Sequence, residues 1–242
     1  MKKHSQKNRK NSSGRSNRRV RRPQAPSREA ILAKGGLYCP IDGRCGGCML
    51  LSVPYNQQLR SKQAEMEALF ADLLDGDTCI RPIVGMKDPR HYRNKVVSPY
   101  VGVYDKKARR RRVLCGMYER GTHRVIDSRE CLIENQEAKR IILAIRDLMP
   151  KFGIAPYDED ADTGFLRHVQ VRVGHASGEV MVTLVLTCEA AWITDFAERL
   201  MSEFPFVSGV EGVCACPDKK APLHHHGGAE RQHAPDQCDY GR

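Results

Sequence analysis

Three cysteines fall within ten residues of one another in the stretch CPIDGRCGGC, at positions 39, 45 and 48. Thiolates this close, separated by small residues, are the soft donors that zinc ions and iron–sulfur clusters require. Gly46 and Gly47 let the backbone curl around the sulfurs and bring amide donors near them, while Pro40 restrains the chain after Cys39. The C-x5-C-x2-C spacing is close to the plant-type ferredoxin pattern, whose fourth cysteine follows far along the chain. Structural zinc sites usually come as two close pairs. A close triplet with one distant single therefore favours iron and sulfur, with zinc as the alternative.

Two cysteines compete for the fourth position. Cys115, in RVLCGMY, alternates into a predicted strand and reads as a small buried hydrophobe, whereas Cys131, in SRECLIEN, sits at a strand-to-helix junction where it can aim at a site. The predicted ligand set is Cys39, Cys45, Cys48 and Cys131. Cys79 and Cys188 lie in or beside apolar runs and read as core residues. Near the end of the chain, Cys214, Cys216, His224, His225, His226, His233 and Cys238 offer metal donors with no supporting shell around them, which is the pattern of adventitious affinity.

The second chemical signal is charge. The net charge is +11, and eleven Lys and Arg residues lie between Lys2 and Arg28 with no acid before Glu29. Further cations cluster as Arg93 and Lys95 before the first predicted strand, and as Lys106, Lys107, Arg109, Arg110, Arg111 and Arg112 at a hairpin tip. Such groups attract nucleic-acid phosphates without reading sequence. Tyr92, Tyr100, Tyr104 and Tyr118 alternate into or beside strands and are expected to pack rather than stack on bases. In FLRHVQVRV, alternation places Arg167 with Val169, Val171 and Val173, and His168 with Gln170 and Arg172 on the opposite face.

Hydrophobic periodicity supplies the elements that must position these groups. It predicts helices over residues 56–74, with Ser52 placed to cap the start, then 135–149 and 191–204. It predicts strands in KVVSPYVGVY, RVLCGMY, HRVID, FLRHVQVRV, EVMVTLVLT and residues 207–213, with tight turns at DKKA and GHASG. The order gives an α+β fold, a mostly antiparallel sheet with three helices and an N-terminal iron–sulfur loop. The predicted division is a disordered basic arm (1–34), a folded cluster-bearing domain (35–213) and a disordered tail (214–242) whose abrupt change of composition reads as a frameshift or truncation near residue 213. No signal peptide or membrane span is expected, and ten cysteines without a disulfide framework suit a cytoplasmic protein.

CPxxxxCGGC followed by SVPYNQQLRSKQ, HYRNKV, GMYERGTHRVIDSREC and LRHVQVRVGHASGEVMV resembles the SAM-dependent 5-methyluridine methyltransferases of 23S ribosomal RNA, over about Tyr38 to Val213. The resemblance implies a four-iron four-sulfur cluster on Cys39, Cys45, Cys48 and Cys131, ribosomal RNA as partner, and methylation of uracil C5. It also implies a Rossmann-like methyltransferase domain with a SAM loop and a cysteine nucleophile. No residue here matches those signatures, so that domain is expected to be absent, SAM to belong to the full-length family alone, and this chain to be an inactive, truncated member. A small TRAM domain common in the family has only the basic arm in its place. The competing expectation is a non-enzymatic iron–sulfur or zinc module that binds RNA.

Overall fold

In a computed structural model, residues 27–74, 78–188 and 191–215 are described. The expected arm up to residue 26, the tail from 216 with most of its Cys and His residues, and the Gly76–Asp77 helix stop lie outside the described residues.

Alternating apolar residues build one sheet of six strands: β1 (Lys95–Asp105), β2 (Arg110–Tyr118), β3 (Val125–Asp127), β4 (Leu166–Val173), β5 (Val180–Leu186) and β6 (Val207–Cys214). Their order across the sheet is β3-β2-β1-β4-β5-β6. The β1/β4 register pairs Val96 with Val171 and Ser98 with Val169, all buried, so one face of the central strands turns inward. The β1–β2 hairpin closes through the Asp105 carboxylate, which accepts from the Lys107 and Ala108 amides at 3.0 Å.

Helix α3 (Gln136–Leu148) covers that inward face with Ala138, Ile141, Ile142, Ile145 and Leu148, a stripe at helical spacing. The Asn135 side chain caps it by accepting from the Glu137 and Ala138 amides. Tyr100 is buried beneath α3 and donates its hydroxyl to the Ile142 carbonyl at 2.8 Å. Helix α4 (Ile193–Glu203) adds Phe196 and Leu200, both fully buried, with Phe152 and Trp192 edge-on to Phe196.

Three expectations need correction. The sheet is mixed: β5 and β6 run parallel, because α4 supplies the long crossover that a parallel pair requires. Among the described residues there are four α-helices rather than three. Helix α1 (Arg28–Ala33) lies where the unstructured arm was expected to continue, with Ile31 buried, and its six residues are too few to show a period. Helix α2 (Tyr55–Leu69) starts at Pro54 without a side-chain cap, not at Ser52, and buries none of its residues. It is instead tied to an extended segment by polar bonds: the Ile83 amide donates to Gln63 and the Met86 amide to the Tyr55 hydroxyl, each at 2.8 Å.

Candidate metal centre and nucleic-acid interface

The cysteine loop is closed by a hydrogen bond from the Leu37 amide to the Leu51 carbonyl at 3.0 Å. Closure demands glycine at position 36, since a Cβ there would stand 2.2 Å from the Ser52 carbonyl oxygen. Inside the loop, tight turns run from the Asp42 amide to the Cys39 carbonyl and from the Cys45 amide to the Ile41 carbonyl. The Gly47 amide donates to Cys45 Sγ at 3.3 Å, the amide-to-sulfur contact that the double glycine suggested.

The loop then docks on the end of β2. Cys45 bridges Glu119, the Gly46 amide donates to the Tyr118 carbonyl at 3.2 Å, and the Arg120 amide donates to the Arg44 carbonyl at 2.7 Å. The Glu119 carboxylate fastens the junction by accepting from Arg44 at 3.0 Å and from Arg124 at 2.6 Å. These two guanidinium groups, hydrogen-bonded to it, hold the Glu119 carboxyl below the usual carboxylate range.

Cys131 arrives from the other side, between β3 and α3. Its amide donates to the Ser128 carbonyl at 2.9 Å, and the residues after it pair with the strand leading into β1 through His91 to Leu132 and Arg93 to Ile133, both at 2.8 Å. The outcome is one small cavity lined by Cys39, Cys45, Cys48 and Cys131 together with Arg93, Met117 and Ile133. Cys115, the rival candidate, is buried in the core behind the sheet.

Burial is the first cause of thiol behaviour here. It pushes Cys48 up to about 11, with the Asp42 carboxylate and the other three thiols adding to the effect, and it raises Cys39 and Cys131 as well. No group of three or more His, Cys, Asp or Glu among the described residues is arranged to hold a metal ion. Cys39, Cys45, Cys48 and Cys131 are soft sulfur donors that share one cavity, a donor chemistry that suits zinc as well as iron–sulfur clusters.

Beneath Cys131 lies a buried polar group that sequence reasoning missed. Glu134 is 1% exposed and pairs with Lys139 of α3, whose ammonium also donates to Ser128 at 3.2 Å. One Glu134 carboxylate oxygen has no well-aligned hydrogen bond, and the lysine contact is what offsets its charge. The available signal was a lysine on the edge of the apolar stripe of α3.

The cations divide by role. Lys95, Lys106, Lys107, Arg109, Arg110, Arg111 and Arg112 are exposed, with Arg112 near Asp105 at 3.5 Å. Arg93 is half-buried and directed at the cysteine loop. On the sheet face opposite α3, the register sets Lys95 beside Arg172, Val97 beside Gln170 and Pro99 beside His168, and Val97 and Met181 are 42% and 47% exposed. Arg167 departs from the expected alternation: a bulge between Leu166 and His168 turns it out of phase with Val169, and it stacks over the Tyr157 ring at 4.6 Å. Of the four tyrosines expected to pack, Tyr100 does; Tyr92, Tyr104 and Tyr118 are 46%, 60% and 39% exposed. Tyr104 stays in phase with Tyr100 but lies in the outer half of the hairpin, where no residue is buried. No helix among the described residues is long and apolar enough to cross a membrane.

No family model matches the chain. An uncharacterized RNA methyltransferase of Halalkalibacterium halodurans is 38% identical over 175 residues, covering 71% of this chain and 37% of that protein. One of Bacillus cereus is 32% identical over 174 residues, covering 71% and 36%. The chain thus spans little more than a third of the length of these relatives. Among solved structures, the tRNA (uracil-54, C5)-methyltransferase of Pyrococcus abyssi, in complex with S-adenosyl-L-homocysteine, matches with a TM-score of 0.50 and 19% identity over 76% of this chain and 40% of that one. The expected fold, mostly antiparallel with three helices and set apart from that of a methyltransferase domain, is corrected by this match: the mixed six-stranded sheet with four α-helices among the described residues is similar in fold to part of that chain.

Proposed function

We propose that this chain serves an RNA (uracil-C5)-methyltransferase acting on 23S ribosomal RNA in the cytoplasm, and that residues 35–213 form its cluster-bearing, RNA-contacting domain. Similarity to relatives named RNA methyltransferases supports the reaction class. The observation that carries the cofactor reading is the meeting of Cys39, Cys45 and Cys48 with the distant Cys131 around one cavity. A four-iron four-sulfur cluster held by those thiolates would cross-link the N-terminal loop to the start of α3.

The chain's own residues hold that geometry. The Gly47 amide turns toward Cys45 Sγ, Glu119 fastens the loop to β2, and the Ser128 carbonyl fixes the backbone of Cys131. Because burial raises Cys39, Cys48 and Cys131, cluster loading has to release protons and is favoured by alkaline pH. S-adenosylmethionine would supply the methyl group in the whole protein; none of the residues named above is assigned to its binding or to catalysis.

The RNA reading rests on the uncovered sheet face and the basic hairpin. Lys95, Arg172 and Gln170 offer phosphate and polar contacts there, and exposed Tyr92, just before β1, offers a flat surface for an unpaired base. A uridine-bearing 23S RNA fragment is expected to bind with an affinity that falls linearly on a logarithmic salt scale. The double variant Lys95→Glu, Arg172→Glu should bind more weakly, with a slope shallower by about 2. Binding that ignores both salt and these substitutions would reject this surface.

A further inference from the structure

We infer that Arg93 is a positioning residue of the cysteine centre, joining its two halves and setting a permanent cation beside it, and not a phosphate contact. This rests on the reading that the four thiols hold a cluster.

The bonding of Arg93 is divided between the two sources of sulfur. Its Nη2 donates to the Gly47 carbonyl at 2.7 Å, on the residue between Cys45 and Cys48. Its backbone amide donates to the Ile133 carbonyl at 2.8 Å, and its own carbonyl accepts from the Asn135 amide at 3.1 Å, in the segment that follows Cys131. One residue therefore ties the N-terminal loop to the Cys131 segment, by side chain on one side and by backbone on the other.

The guanidinium is also placed to act through its charge. It lines the same cavity as the four thiols. A Cβ built on Gly47 would meet Cys45 Sγ at 3.3 Å and Arg93 Nη1 at 3.7 Å, so sulfur and cation flank the same glycine. Of the other cations fastening the loop, Arg44 and Arg124 share the one Glu119 carboxylate, and Arg120 donates to the Cys48 carbonyl at 3.3 Å from outside the cavity lining. Arg93 makes the shorter bond to a loop carbonyl and lines the cavity itself. An arginine stays charged at every accessible pH, and four thiolates ligating iron carry net negative charge, so the geometry fits electrostatic support of the loaded site.

The test uses the full chain, reconstituted anaerobically with iron and sulfide, as wild type, Arg93→Gln and Arg93→Lys. The Gln chain keeps a donor and loses the charge; the Lys chain keeps the charge and loses the planar fork. Iron release to a chelator should be about tenfold faster in the Gln chain, the lower end of what outer-shell partners of a metal site contribute. Its cluster reduction potential should be more negative than that of the wild type, while the Lys chain keeps the wild-type potential. A purely structural role would move release but not potential. Wild-type release and potential in the Gln chain would overturn the inference, as would a salt slope for RNA binding reduced by about 1 at unchanged iron content. Should the Gln chain fail to fold, Arg93→Met, of similar length and without charge, decides by the same two readouts: faster release with a more negative potential supports the inference, and a wild-type potential overturns it. A wild-type chain that takes up no iron would instead reject the cluster reading beneath it.

Discussion

The sheet with α3 and α4, and the cysteine loop at 36–52, are held together by different means. Behind the sheet a contiguous set of side chains, from Val96 through Ile141, Ile145 and Phe196 to Val210, is buried almost completely. In the loop, Met49 is 80% and Leu50 43% exposed, and only Cys45 and Leu51 are buried among its apolar residues apart from the chain that closes it. What holds the loop is a set of directional bonds: backbone turns, the Glu119 clasp and the Arg93 bond to Gly47. Directional bonds fix geometry but contribute only about 0.5–1.5 kcal/mol each. The comparison teaches that the core can stabilise itself, whereas the loop is a preformed cradle whose stability depends on what crosses it.

The first way to break this comparison is to damage the core. Phe196→Ala removes a fully buried ring and should cost about 3–5 kcal/mol of unfolding free energy, measured by denaturant titration. A similar loss from truncating exposed Met49 would show that the loop has an apolar core after all.

The boundary between the regions is the next place to probe. Lys139→Met leaves the Glu134 carboxylate buried without a counter-charge and should also cost about 3–5 kcal/mol. The double change Lys139→Met, Glu134→Leu should recover most of that loss, which a double-mutant cycle would read directly. No recovery would mean that the pair is not coupled.

Within the loop, Glu119→Gln should leave the melting temperature nearly unchanged while amide exchange at residues 44–47 rises, because only the clasp is loosened. A large fall in melting temperature would place the loop inside the cooperative core.

The smallest expected effect is on pH. Burial lowers the affinity of His168 for a proton relative to its ordinary value of 6.5. The folded state therefore disfavours the protonated form, so the His168 contribution is full above that value and is lost as pH falls through it. His168→Asn should flatten the stability profile on the acid side of pH 6.5; an unchanged slope would assign it to other groups.

Much of this was legible in the sequence, and the limits have physical causes. Strands β1, β4 and β5 alternate over enough residues for a period of two to show, and the apolar stripe of α3 marks its buried face. The convergence of Cys131 with the triplet was readable because a cysteine at a strand-to-helix junction had a competitor that alternated into a strand. The parallel β5/β6 pair was not readable, since strand direction is set by the crossover and not by any local pattern. The role of Arg93 was hidden as well: a cation in a basic run looks the same whether it meets phosphate or a carbonyl from a loop 46 residues away. The exposure of Tyr104 escaped alternation because the hairpin extends beyond the helices that cover its base.

The central claim is that four thiolates share one inorganic centre, and metal analysis of the anaerobically purified chain tests it most directly. The account predicts four iron and four acid-labile sulfide per chain in the wild type, and loss of both in Cys131→Ser with the triplet intact. One zinc per chain without sulfide, or iron and sulfide retained in full when Cys131 is replaced, would contradict it.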